Sequence, residues 1–207
     1  MEQINFLLFC TTALALIATP GPDMLYVATR SLTQGKAIGL VSMLGVCAGY
    51  LVHTCFAMMG LSAILQASEV LFNIVRLSGA AYLLYLGIQM WLSKPQKQPV
   101  QKAQSKQGKL FWTGLITSVT NPKGILFFLA FLPQFVVSHA NHVPLQMLVL
   151  GLIFTLLCAI VYGLVALLAG TVGDNLSGTP RFSQLMQRVT GSVLILLGVR
   201  LVALEYR

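Results

Sequence analysis

The sequence predicts an all-α membrane protein of about six transmembrane helices, arranged as two inverted three-helix repeats in which helices 1 and 4 are broken. Three observations lead there. Of 207 residues, 57% are hydrophobic and only 9% charged, with a mean hydropathy of +0.82. A soluble domain carries roughly 25% charged residues because its surface faces water. Second, the apolar residues fall into runs long enough to cross a bilayer. Third, two of those runs are interrupted by proline at corresponding places.

Crossing roughly 30 Å of hydrocarbon takes about 20 apolar residues. Runs of that kind place spans at 4–30, 38–66, 70–93, 110–137, 143–171 and 182–204. The segment 4–30 is expected to be a retained span rather than a cleaved leader, because the residues before it include Glu2 and no basic residue, whereas a signal peptide begins with positive charge. The longest hydropathy gap is 94–109, with Lys94, Lys97, Lys102, Lys106 and Lys109. It reads as a basic linker between a first three-helix repeat (1–93) and a second (110–207).

The net charge of +8 does not indicate a nucleic-acid partner. Nucleic-acid faces gather their basic residues on one exposed surface, and here 5 of the 13 lie in the linker while most of the rest flank apolar runs. Loops after spans 1, 3 and 5 hold nine Lys and Arg (Arg30, Lys36, the five linker lysines, Arg181 and Arg188), against three on the other side (Arg76, Arg200 and Arg207). The positive-inside rule therefore puts the linker in the cytoplasm and both termini outside. Cys10, Cys47, Cys55 and Cys158 lie inside apolar spans without zinc-type spacing and read as small packing residues.

The breaks are Thr19-Pro20-Gly21-Pro22-Asp23 in the first span and Asn121-Pro122-Lys123 in the fourth. A shift of 102 residues lays Pro20 on Pro122, Gly49 on Gly151 and His53 on Thr155. Three spans per half is an odd number, so the second half would insert upside down. Transporters built in this way bind substrate near the midplane, between paired broken helices. Proline removes an amide donor and clashes with the preceding turn, and the freed backbone groups must find partners or line a polar cavity.

Asp23 is the acidic residue well inside a predicted span, where a charge costs at least ~2.5–3.5 kcal/mol. Two accounts of Lys123 stay open: it faces the same central cavity as Asp23, or it snorkels to the interface. Asp23 and exposed carbonyls suit an ammonium group, and a half-helix N-terminus suits a carboxylate. A strongly basic substrate would call for a second acid, so a neutral amino acid fits better. Possible path-lining residues are Tyr50 and His53 on span 2, then Tyr82, Tyr85 and Gln89 in a stripe with Ser78 on span 3, and Thr155 and Tyr162 with Cys158 on span 5. Helix–helix hydrogen bonding accounts for the stripes equally well, and His53 is either a proton relay or a satisfied interior histidine. Gly45 and Gly49 form a GxxxG pair that serves close packing or a homodimer face.

Taken together, the broken Thr19–Asp23 segment, the Arg30…Gly35…Gly39 stretch, the run Gly79-Ala80-Ala81-Tyr82-Leu83…Leu86-Gly87 and Thr120-Asn121-Pro122-Lys123 resemble the LysE/RhtB family of bacterial amino-acid exporters over essentially the whole chain. The resemblance implies a multi-pass protein of the bacterial cytoplasmic (inner) membrane. It implies export of a small amino acid or derivative, of threonine, homoserine or leucine type, in exchange for protons. It carries over to Pro20, Gly21, Pro22, Asn121, Pro122 and Lys123, and implies no cofactor.

Two other classes compete with a carrier of neutral amino acids. An intramembrane enzyme needs a nucleophile with a base, or paired carboxylates, and neither is evident. An exporter of divalent metal ions would draw on Cys47, His53 and Cys55, which at about 100° per residue do not share one helix face. Export of basic amino acids is the remaining alternative.

Overall fold

The computed structural model describes residues 6–61, 69–92, 107–137 and 142–172, together with ten helical positions between 188 and 203. Among these residues the chain is helical throughout, with turns only at the breaks and corners. The linker 94–106, most of the sixth span and both termini lie outside the described residues.

Helix α1 (Phe6–Ala18) buries Phe9, Thr12, Ala13, Leu16 and Ile17, which share one face, while Phe6, Leu7 and Leu14 on the other side are exposed and equally apolar. A helix apolar all round but packed on one side is suited to lipid on the other. After Thr19 the chain turns by 54° into α2 (Pro22–Gln34). Pro22 occupies the first helical position, where its missing N–H costs nothing, and Gly21 precedes it in extended conformation. Gly35 then ends α2 with φ +90°, in the left-handed region that only glycine enters without strain. That conformation makes the sharp corner into α3 (Lys36–Phe56).

Helix α3 runs into a π-turn at Ala57–Leu61, and α4 follows at Glu69–Leu92. The second break repeats the first. Helix α5 (Gln107–Val119) stops, and the chain bends by 49° into α6 (Pro122–Leu126), again with proline in the first helical position. A π-turn (Phe127–Phe131) and a 3-10 turn (Leu132–Phe135) prolong α6. Helix α7 (Val143–Val172) is the longest element, at 30 residues.

Lys36–Gly60 and Val143–Gly170 are each long and apolar enough to cross a membrane, and each bent pair adds a further span if its two halves cross as one. The described residues therefore provide up to four spans by length and composition. Helix α4 adds an apolar stretch at Leu77–Gln89.

Helix α3 is the centre of the packing, in contact with α2, α5 and α7. Its seam with α5 is made of small residues on both sides. A Cβ on Gly49 would lie 2.5 Å from Ser118 Cβ, one on Gly114 would lie 2.7 Å from the Ser42 carbonyl, and one on Gly45 would enter the Phe111 carbonyl. Small residues let two backbones approach closely in lipid, where packing replaces the hydrophobic effect as the driving force. This corrects one expectation: Gly45 and Gly49 are buried inside the protomer against α5 and do not form a homodimer face. Helix α4 packs through Gly79 on Ala130 and through Gly87 on Gly191, whose carbonyl a Cβ at Gly87 would meet at 2.8 Å. Trp91 Nε1 donates to Ser192 Oγ at 2.9 Å in the same contact.

The seam predicts that Gly45→Leu lowers the unfolding midpoint of the detergent-solubilised protein, by at least the ~1–3 kcal/mol typical of overpacking. Leu44→Ala, on the exposed side of the same helix, should change it little. Equal midpoints for the two variants would refute the seam.

Candidate functional site at the two helix breaks

A helix leaves its last four carbonyls and first four amides without intrahelical partners. Each break in this chain therefore exposes carbonyls from the helix that stops. The structure meets both sets with side chains from the opposite half. Lys123 Nζ donates to the Thr19 carbonyl at 2.8 Å and to the Leu16 carbonyl at 3.1 Å. At the second break, His53 Nε2 lies 3.1 Å from the Ser118 carbonyl, in the last turn of α5. A carbonyl only accepts, so Nε2 is the protonated nitrogen. Asn121 Oδ1 caps α6 by accepting from the Lys123 backbone N–H at 3.0 Å.

Asp23 lies in the first turn of α2 and is fully buried, at 0% exposure. Its Oδ2 accepts from the Tyr50 hydroxyl at 2.5 Å, while Oδ1 has no hydrogen-bond partner. Lys123 is also buried, at 5% exposure, so it does not snorkel. The two charges interact electrostatically, yet each is held mainly by other groups. The ammonium sits at the negative, carbonyl end of α1, and the carboxylate sits at the positive, amide end of α2. Both placements match the helix dipole, and buried charges need compensation of this kind.

Aromatic rings wall this cluster. The Tyr50 ring meets Phe154 edge-on at 5.0 Å and stacks with Phe128 at 6.2 Å, and His53 stacks on the same Phe128 at 5.5 Å. Gly124 on α6 leaves room for both, since a Cβ there would lie 3.1 Å from Tyr50 Cε1 and 3.6 Å from His53 Nε2. Tyr50 and His53, one helical turn apart on α3, thus face one break each and share one ring.

Comparison with known proteins places the chain among membrane translocators. The LysE type translocator family model matches residues 14–205. The chain belongs to the LysE type translocator family. Two relatives illustrate its range. An uncharacterized membrane protein YrhP of Bacillus subtilis (strain 168) is 28% identical over 206 residues, covering 95% of this chain and 97% of the relative. The leucine efflux protein of Salmonella typhimurium is 32% identical over 150 residues, covering 72% of this chain and 71% of the relative. No solved structure matches the chain significantly.

In this translocator the expected residues divide into those brought together and those kept apart. Gly21 touches the site directly, because a Cβ on it would lie 3.2 Å from Lys123 Nζ. Pro20 and Pro22 shape the first break, and Pro122 the second. Tyr50, His53 and Tyr162 are buried at or beside the cluster. Thr155 is buried too, but its hydroxyl donates to the Gly151 carbonyl of its own helix at 2.9 Å. Tyr82, Tyr85 and Gln89 do not line an interior path. Tyr82 is 43% and Tyr85 57% exposed, and Gln89 is exposed beside them on the outer side of α4. Their spacing marked a common face correctly, but α4 turns its glycines inward instead. Cys55 is likewise exposed while Cys47 and His53 are buried.

Residues missed from the sequence are the partners: the carbonyls of Leu16, Thr19 and Ser118, and the spacer Gly124 with the rings Phe128 and Phe154. The breaks themselves signalled that carbonyls would be free, but nothing local signals which distant side chain meets them.

Replacing Lys123 by Met, of similar length, leaves two carbonyls unpaired at roughly 1–3 kcal/mol each. The unfolding midpoint of Lys123→Met should fall accordingly, with Lys123→Arg closer to the wild type. A midpoint unchanged in the Met variant would show that the Lys123 bonds do not hold the first break.

Proposed function

We propose that this translocator exports a small neutral amino acid, of leucine, threonine or homoserine type, across the bacterial cytoplasmic membrane in exchange for protons. The observation that carries the reading is the burial of Asp23 and Lys123 at two helix breaks that meet inside the protein. A zwitterion needs an acceptor for its ammonium and donors for its carboxylate. Asp23 Oδ1 is an unpartnered buried acceptor, and Asn121 Nδ2 is an unpartnered buried donor. Lys123 has three ammonium protons, two of which are committed to carbonyls. Buried polar groups without partners are costly, and a bound amino acid relieves that cost.

A neutral substrate is favoured because Asp23 is the one acidic side chain among the described buried residues. The name of the leucine efflux relative supports a cargo of the same class. Coupling to protons falls to Asp23, a buried carboxylate that a proton can neutralise when no substrate ammonium is bound. The two three-helix halves lie inverted, with the basic linker 94–109 in the cytoplasm and both termini outside. Alternating access then proceeds by movement of the half-helices about Pro20-Gly21-Pro22 and Asn121-Pro122.

The test is whole-cell export. Cells loaded with dipeptides of leucine, threonine or homoserine, with and without the protein, should release at least one free amino acid faster when the protein is present. Asp23→Asn should abolish or uncouple that export while the protein stays in the membrane. Full proton-driven export by this variant would remove Asp23 from the coupling role. Pro20→Ala and Pro122→Ala should each reduce export several-fold, and normal transport by both would sink the broken-helix site.

A further inference from the structure

Three sulfur atoms meet inside the helix packing, and neither break uses them. Cys47 on α3 is buried, and its thiol donates to Met43 Sδ, one turn back on the same helix, at 3.6 Å. Cys158 on α7 is fully buried, and its side chain hydrogen-bonds to the same Cys47. The Cys47 proton is committed to Met43, so Cys158 is the donor in that second bond. A chain of two thiols and one thioether thus crosses the contact between α3 and α7. Thiols donate weakly and thioethers accept weakly, so these bonds add little to the packing. Neither cysteine is in a disulfide.

We propose that Met43, Cys47 and Cys158 form a binding site for one soft monovalent metal ion of the copper(I) class. Thiolate and thioether ligands select such ions. Among the described residues no three His, Cys, Asp or Glu side chains gather to hold a metal ion, so zinc, which takes four ligands of those types, finds no complete set here. With metal–sulfur bonds of about 2.3 Å, a trigonal or tetrahedral centre holds neighbouring sulfurs about 3.8–4.0 Å apart. The Cys47–Met43 separation of 3.6 Å needs only a small side-chain adjustment to reach that range. A metal binds the thiolate form, so the ion takes the place of one thiol proton, which leaves to water. Exchange of one proton for one monovalent ion keeps the net charge of the interior unchanged, which matters where an added buried charge is costly.

Cys47 lies one turn before Tyr50 on α3, and Cys158 interacts electrostatically with Asp23 and Lys123. An ion held by the three sulfurs therefore ties α3 to α7 beside the two breaks. Cys55, which the sequence grouped with Cys47 and His53, is exposed and takes no part. The site has no zinc-type spacing because its ligands come from two helices of opposite halves. It is independent of which amino acid is carried and of how transport is coupled.

The experiment uses the full-length protein in detergent and chloride-free buffer, carrying Cys10→Ser and Cys55→Ser so that the two buried thiols alone remain. The probe is silver(I), a copper(I) analogue that keeps its oxidation state. Metal analysis after desalting should find one silver ion per chain, and silver should raise the unfolding midpoint, whereas zinc(II) should not. Cys158→Ser in this background should lose the rise. Met43→Leu, a swap of similar volume, should unfold near its parent without metal. Loss of an outer-shell partner already weakens metal affinity 10–100-fold, so loss of this direct ligand should weaken silver binding at least about tenfold. Met43→Leu carries the test where Cys158→Ser does not fold. Two silver ions per chain, none at all, an unchanged affinity in Met43→Leu, or equal stabilisation by zinc overturns the site and leaves the three sulfurs as packing groups.

Discussion

A broken helix inside a membrane must have its opened carbonyls met by something other than water, and this requirement governs the structure of the translocator. Lys123 and His53 meet it. Each reaches from one half of the chain to the break in the other, so neither break is complete without the opposite half. The cost of leaving such groups bare in hydrocarbon is several kcal/mol apiece, more than enough to hold the two halves in register. The Lys123 bonds place a lysine in the interior and the Tyr50 hydroxyl holds Asp23 there, each at the helix end of complementary sign.

The rest of the fold serves that meeting point. Glycines and serines along α3 and α5 bring Tyr50 and His53 close to the second break. Gly124 gives their rings room, and Phe128 packs against both. On the other side, Ser31, Gly39, Ala166 and Gly170 draw α2 against α7. Bulky apolar residues are turned outward on nearly every helix, as the exposed Leu14, Leu44, Leu129 and Leu156 illustrate. Glycines and serines thus make the closest helix contacts, aromatic residues such as Phe128 and Phe154 fill the interior, and many large aliphatic side chains point outward.

Some polar groups at the two breaks carry a deficit of hydrogen bonds. Asp23 Oδ1 and Asn121 Nδ2 both lack partners. A carrier benefits from such a deficit, because a ligand that repairs it gains affinity from groups already desolvated. Tyr50 fixes the other oxygen of Asp23.

The sequence by itself determined the class of the protein, the position of both breaks and most of the residues that build the site. Hydrophobicity and proline act locally, and a charge within an apolar run is costly wherever the run is packed, so Pro20, Asp23, Pro122 and Lys123 were legible without any structure. The positions of Tyr50, His53 and Tyr162 were also marked, as polar groups in apolar helices. Only the tertiary structure decided which of those polar groups meet. Spacing defined a common face for Tyr82, Tyr85 and Gln89, but a face has no direction until a neighbour is chosen, and α4 chose Gly79 and Gly87 as its contact side. The GxxxG pair on α3 had the same ambiguity and resolved toward α5 within the protomer. The pairing of Tyr50 with Asp23, of Lys123 with Leu16 and Thr19, and of His53 with Ser118 links residues 27 to 107 positions apart. Contacts over that separation depend on how helices cross in three dimensions, and no local periodicity encodes them.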